Sequence, residues 1–314
     1  MTDRILAPER KMNRGAMNEP RPLWPVDLEQ LRLDRHPRLT KIDAEKLLEQ
    51  SQGGSFWIPR TSEFVLVTPW RHRAELVAVH TFGAFENEDA LLQTAMEHAR
   101  DQDRAGFVVI DINETRKPGF YVRHGLRRFE EVVTFTNRRP ARLASAPITD
   151  DISFVKVDGS DPRLFRAVQD LDHAAFPWFW WNSPEEFDVY AGYPGVEIWA
   201  GIRDKEVVSY AGSTMYRKWA HLDRIAAQPS LQGSGLGRAT LTFAVRMMVQ
   251  QGCREVALST QGENHRSRRL YQRTGFVRTP VDDYSIFVAP FDESLVYAGL
   301  AIPQHAPVAS GDES

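Results

Sequence analysis

The clearest pattern of apolar and polar positions lies between residues 152 and 289, where the period changes segment by segment. Alternation from Ile152 to Val157 predicts a half-buried strand. Asp161-Pro162 then supplies a capping side chain and a proline suited to a first helical turn. Val196 to Ile202 and Val207 to Met215 flank Arg203-Asp204-Lys205-Glu206 as the arms of a hairpin. After a strand from Ala220 to Ala227, the residues Leu241, Ala244, Val245, Met248 and Val249 recur at i, i+3, i+4, i+7 and i+8, which predicts a helix ended by Gly252. Glu255 to Thr260 reads as a strand, Ser267 to Thr274 as a helix stopped by Gly275, and Tyr284 to Ala289 as a last strand. Earlier in the chain, Phe64-Val65-Leu66-Val67 and Glu75-Leu76-Val77-Ala78-Val79 read as neighbouring strands and Asp89 to Arg100 as a helix. Strands alternating with helices predict an α/β (α+β) layer structure, a mixed central sheet flanked by helices.

Two stretches match each other without a gap. Leu91-Leu92 through Ala105-Gly106-Phe107-Val108-Val109-Ile110 to Tyr121-Val122-Arg123-His124-Gly125-Leu126 aligns with Leu241-Thr242 through Val256-Ala257-Leu258-Ser259 to Tyr271-Gln272-Arg273-Thr274-Gly275-Phe276. The shared Tyr-x-x-x-Gly fixes the offset at 271 − 121 = 150. Internal repetition of this kind implies two structurally similar units in tandem. The expected division is a flexible extension over 1–22, a first unit over 23–147, a second over 148–292 and a tail over 293–314, with the boundary in Pro140 to Thr149, where Pro and Ala break the periodic pattern.

A chain of 314 residues has room for two such units. Its formal net charge of −3 gives no basis for a nucleic-acid partner. Cys253 is the only cysteine, which excludes an intrachain disulfide and a thiolate metal cluster and fits a cytoplasmic chain. It sits just past a helix end and reads as a small core residue rather than a nucleophile. No His-x-x-x-His pair points to a metal, and no apolar run approaches the ~18 residues that would span a bilayer.

The candidate chemistry sits in Gln232-Gly233-Ser234-Gly235-Leu236-Gly237-Arg238, between a strand and a helix. Glycines let the main chain turn tightly and come close to a ligand, and the first N–H groups of a helix have no internal acceptor. An anion, above all a phosphate, fits such a place. A Walker loop would need Gly-Lys-Ser/Thr, and a dinucleotide fingerprint Gly-x-Gly-x-x-Gly; neither is present.

The segment resembles motif A of the GNAT superfamily of acyl-CoA N-acyltransferases, Gln/Arg-x-x-Gly-x-Gly/Ala. Leu222-Asp223-Arg224-Ile225-Ala226-Ala227 with Pro229 is similar to that family's fourth strand, and Leu258-Ser259-Thr260, Asn264 and Leu270-Tyr271-Gln272-Arg273-Thr274-Gly275-Phe276 resemble motif B. The resemblance implies acetyl-CoA, or a related acyl-CoA, as cosubstrate and a small-molecule or peptide amine as acceptor. It implies that Ile225, Ala226 and Ala227 hold the pantetheine arm where the fourth strand bulges, and that Gln232 and the run from Gly233 through Ser234, Gly235, Leu236 and Gly237 to Arg238 hold the pyrophosphate. It also implies that Asn264 meets the cofactor and that Tyr271 protonates the departing thiolate. Ala227 replaces the family's frequent Val, a change that a backbone contact tolerates.

The base that accepts the amine's proton stays open between Asp223, favoured by the family's habit of an acidic residue on this strand, His221, favoured by its intrinsic pKa, and no dedicated base at all. Simple alternation would set His221, Asp223 and Ile225 on one face. The aromatic run Phe176-Pro177-Trp178-Phe179-Trp180-Trp181, with Tyr190, Tyr193 and Trp199 after it, either lines the acceptor pocket or packs the two halves together. In the first unit the offset of 150 brings Phe82, Phe85 and Asn87 to the positions of Gln232, Gly235 and Gly237, and Pro118 interrupts the helix before Tyr121, so this copy reads as degenerate. The rival to an N-acetyltransferase is a non-catalytic acyl-CoA sensor; aminoacyl transfer from a charged tRNA is disfavoured by the lack of a basic patch.

Overall fold

The structure is a computed structural model describing residues 17–33, 39–51, 53–112 and 119–292. Residues 1–16 of the expected extension, the tail 293–314 and Pro118 lie outside the described residues. The first half supplies β1 (Arg21–Pro22), β2 (Phe56–Ile58), β3 (Glu63–Trp70), β4 (Arg73–Gly83), β5 (Gly106–Ile112) and β6 (Arg127–Asn137). The second supplies β7 (Ser153–Val157), β8 (Val196–Arg203), β9 (Glu206–Tyr216), β10 (Trp219–Ala227), β11 (Glu255–Gln261), β12 (Val277–Arg278) and β13 (Tyr284–Pro290).

These strands join in one mixed sheet of 13 strands, ordered β1-β2-β3-β4-β5-β13-β6-β11-β10-β9-β8-β7, with β12 against β6. The centre of that order crosses the two halves. β13 pairs antiparallel with β5 from Tyr284↔Ile112 to Pro290↔Gly106, and β6 pairs antiparallel with β11 from Val256↔Asn137 to Gln261↔Val132. β6 and β13 also pair with each other. Each half therefore lends its last strand to the other, and the sheet is continuous across the repeat.

Helices α1 (Lys41–Ser51), α2 (Glu88–Asp101), α3 (Gly119–Arg123), α4 (Pro140–Ala144), α5 (Pro162–Ala175), α6 (Pro184–Ala191), α7 (Leu236–Gln250) and α8 (His265–Arg273) flank the sheet. The expected boundary segment holds α4, whose Leu143 and Ala144 pack with Leu241 and Val245 of α7. Asp161 caps α5 by accepting from the N–H groups of Arg163 (2.9 Å) and Leu164 (3.2 Å). Among the described residues, no helix is long and apolar enough to cross a membrane.

The aromatic run acts mainly as mortar. Phe179 and Trp180 are buried in one cluster with Trp70, Leu76 and Val108 of the first half and with Val132, Ile286 and Val288 of the exchanged strands. Trp70 Nε1 and Arg73 Nη2 both donate to the carbonyl of Phe179, at 2.8 and 3.1 Å. Burying several aromatic rings at one seam contributes several kcal/mol of apolar transfer free energy, at ~1.5–3 kcal/mol per large side chain. Only Phe176 and Pro177 of the run reach the cleft described below.

Candidate active site

β10 and β11 run parallel from Trp219↔Glu255 to Leu222↔Leu258 and then part. Beyond that point β10 continues beside β9 alone, and β11 beside β6. The splay opens a cleft of about 840 Å³. Gln232, Gly233, Gly235, Gly237 and Arg238 border it at the start of α7, Ile225, Ala226 and Ala227 along β10, and Asn264 and Tyr271 along α8.

In the glycine loop, Gly233 and Gly235 take φ values of 95° and 91°, a region that side chains with a Cβ rarely adopt. Gly235 is the N-cap of α7. The N–H groups of Gly233, Gly235, Leu236 and Gly237 have no acceptor among the described residues, whereas Ser234 N–H donates to the carbonyl of Leu231 at 3.3 Å. Leu236 buries its side chain in the core, so it offers the cleft its main chain alone. Ser234 turns its hydroxyl onto the carbonyl of Leu231 (2.8 Å), and Gln232 accepts from Arg266 of α8. Asn264 caps α8, its Oδ1 accepting from Ser267 N–H at 3.1 Å. Arg266, Arg269 and Arg273, three cations that sequence reasoning passed over, border the same cleft as Arg238.

Tyr271 is 4% exposed, and burial pushes its phenol up to about 12, opposed by a hydrogen bond with Ser267. It is a protonated donor throughout the neutral range. Its ring packs against Phe276 of its own half and Phe135 of the lent strand β6.

The expected single face of His221, Asp223 and Ile225 is not what the strand forms. Register with β9 jumps between Leu222↔Ser213 and Arg224↔Gly212, leaving Asp223 as the extra residue of a β-bulge. The bulge sends Ile225 to the face of α7, where it packs beside Leu222 and Leu241. It also lies two residues before Ile225, not at the stretch expected to hold a pantetheine arm.

Asp223 is saturated: Oδ2 accepts from Tyr190 OH (2.7 Å) and Thr214 Oγ1 (2.6 Å), and Oδ1 from His221 Nδ1–H (2.8 Å). Gly212 makes room for this cluster, because a Cβ there would lie 2.6 Å from the Tyr190 hydroxyl. Burial and the neighbouring carboxylate hold the Tyr190 phenol far above its ordinary value. Neither His221 nor Asp223 borders the cleft. Below them, Arg224 Nε donates to Asp172 (2.7 Å) and Arg224 Nη2 to the carbonyl of Trp180 (3.0 Å), a buried pair that ties β10 to α5.

Two acidic groups border the cleft, Glu130 and Glu263, and sequence reasoning missed both. Glu130 of β6 borders the opening, with Oε2 accepting from Trp180 Nε1 at 2.7 Å. Burial pushes its carboxyl up to about 7, with the indole hydrogen bond opposing that rise. In sequence it sits in Arg127-Arg128-Phe129-Glu130-Glu131, which reads as a solvated strand face.

The first-half counterpart of the glycine loop is built differently. Only Ala84 to Asn87 separate β4 from α2, against Gln228 to Gly235 between β10 and α7, so the offset of 150 does not hold there. Phe82 lies within β4, and Asn87, as N-cap of α2, is the counterpart of Gly235 rather than of Gly237. The buried carboxylate of Glu63 fills the place: Oε2 accepts from the N–H groups of Phe85 (3.2 Å), Glu86 (3.3 Å) and Asn87 (2.8 Å), and Oε1 from Asn87 Nδ2 (3.2 Å).

Comparison with known proteins agrees with this geometry. Residues 165–276 match the model of the acetyltransferase (GNAT) family. A mycothiol acetyltransferase of Beutenbergia cavernae is 38% identical over 66 residues, 21% of this chain and 22% of that protein. One from Kocuria rhizophila is 38% identical over 58 residues, 18% of this chain and 19% of that protein. The matched stretches thus span about a fifth of these relatives' length. Among solved structures, a tandem GNAT protein from the clavulanic acid biosynthesis pathway superposes with a TM-score of 0.60 over 87% of this chain and 98% of that one, at 15% identity. A GCN5-related N-acetyltransferase from Sphaerobacter thermophilus gives a TM-score of 0.54 over 86% and 95%, also at 15% identity. Residues 165–276 therefore match a domain model of the acetyltransferase (GNAT) family, and the chain has a fold like that of a tandem GNAT protein.

Proposed function

We propose that this protein transfers an acetyl or other short acyl group from acyl-CoA to an amine by direct attack of the amine on the thioester. The observation that carries the reading is the set of four main-chain N–H groups, of Gly233, Gly235, Leu236 and Gly237, unpaired among the described residues, at the edge of a cleft that Tyr271 also borders. Hydrogen bonds from such donors to a charged pyrophosphate are worth ~1.5–3 kcal/mol each, so three or four approach the ~8 kcal/mol of a micromolar ligand. Arg238, Arg266, Arg269 and Arg273 suit the remaining phosphate charge. Where β10 and β11 part, the edge of Ile225 to Ala227 offers main-chain groups to the pantetheine arm, and Asn264 adds its free amide N–H groups.

Tyr271 acts as the general acid toward the leaving thiolate. A thiolate formed in the same buried site gains basicity as the phenol loses acidity, so the two remain matched. The names of the matched relatives support acetyl transfer. The test is a screen of primary amines with acetyl-CoA and the purified chain, following free thiol. Amine-dependent thiol release is the expected outcome; binding of acetyl-CoA with no turnover of any amine would make the protein a sensor instead.

A further inference from the structure

The strand that the first half lends to the second brings a carboxyl into the cleft. Glu130 precedes the last β6–β11 pair, Val132↔Gln261, and so stands where β11 no longer covers β6. Its register with β13 is irregular: Glu130 pairs with Ile286 and Arg128 with Phe287, leaving Phe129 unpaired in a bulge. The bulge turns Phe129 onto Phe179 (ring centroids 4.7 Å apart) and Glu130 onto Trp180. One oxygen is thereby fixed by the indole N–H, while Oε1 has no partner among the described residues. Asp223, by contrast, has both oxygens engaged and does not border the cleft.

We propose that Glu130, a residue of the first half, is the general base for the acyl transfer proposed above. The assignment rests on reading the cleft as an acyl-CoA and amine site. The Glu130 carboxylate takes one proton from the acceptor's ammonium. The freed amine attacks the thioester carbonyl, the C–N bond forms, and the C–S bond breaks. Tyr271 gives its hydroxyl proton to the sulfur, and the second proton leaving nitrogen restores the phenol. Glu130 releases its proton to solvent, so the overall products are amide, thiol and one proton. A carboxyl raised to about 7 by burial is well matched to this exchange near neutral pH. The groups around it are Trp180, Tyr284 of β13 with Arg71 beyond it, and Glu263 and Tyr271 at the cleft. The first half then has a defined part in the chemistry, delivered by strand exchange.

The test is Glu130→Gln in the full chain, which keeps an acceptor for the Trp180 N–H. With an amine that the screen shows to be turned over, kcat is expected to fall ~100-fold or more, in line with the loss of a general base. The dissociation constant for acetyl-CoA by calorimetry should stay within about twofold, since the pyrophosphate donors lie elsewhere. The wild-type rise of kcat/KM through pH of about 7 should vanish in the variant. Hydroxylamine, largely neutral at pH 7.5, should show a much smaller difference between the two proteins if it is an acceptor. A variant with wild-type kcat and the same pH limb overturns the assignment while leaving the acyl transfer reading intact. Loss of turnover together with loss of cofactor binding reduces Glu130 to a pin for Trp180. A wild-type chain that binds no acetyl-CoA, or binds it and acetylates no amine, removes the underlying reading and this assignment with it.

Discussion

The two strand–loop–helix units of this chain show one backbone device used in opposite ways. At the start of α2 the main-chain N–H groups of Phe85, Glu86 and Asn87 meet the carboxylate of Glu63, and the anion is built in. At the start of α7 the loop is longer, two glycines adopt left-handed φ, and four N–H groups have no acceptor among the described residues. The first arrangement spends the helix terminus on an internal carboxylate; the second leaves it open, as the proposed acyl-CoA site requires. The first copy differs by more than the absence of glycines, because an internal acid occupies the helix terminus there.

That contrast can be broken from either side. Gly235→Val puts a β-branched residue at φ 91° and narrows the donor cradle. Acetyl-CoA affinity should fall by ~100-fold or more, the loss of roughly two charged hydrogen bonds, measured by calorimetry. Glu63→Ala should act on the other loop, leaving three part-buried donors without their carboxylate at a cost of ~2 kcal/mol. A fall of several degrees in Tm with unchanged acetyl-CoA affinity is the expected result; altered affinity with unchanged Tm would assign Glu63 to the wrong loop. Tyr271→Phe should lower kcat at least ~10-fold and spare cofactor binding; an unchanged kcat leaves Tyr271 a packing residue against Phe135.

The smallest effect is one of linkage. Because the Glu130 carboxyl titrates higher in the folded chain than in the unfolded one, its contribution to stability is fully present below the ordinary carboxyl pKa and is lost as pH rises through about 7. Glu130→Gln should remove that slope, so the Tm difference between variant and wild type should shift in the variant's favour from pH 5 to pH 8.

The glycine loop, α7, the hairpin of β8 and β9, and the capped start of α5 were all legible in the chain, since each depends on local period, capping chemistry or residue type. What escaped depends on distance. The exchange of β6 and β13 joins residues about 150 positions apart, and periodicity within a strand says nothing of its partner. The bulge at Asp223 changed which side chains share a face, and one unpaired residue leaves no mark in the pattern. Glu130 and Glu63 are charged residues on strands, where the ordinary expectation is a solvated face; only the tertiary neighbours Trp180 and the α2 terminus give them another role. The aromatic run was ambiguous by nature, and the seam between the halves claimed most of it.

Titration calorimetry of acetyl-CoA into the purified full chain tests the central claim most directly. One site per chain is predicted, abolished or severely weakened by Gly235→Val and untouched by Glu63→Ala. Absence of heat, two equivalent sites, or binding that survives the change at Gly235 would contradict it.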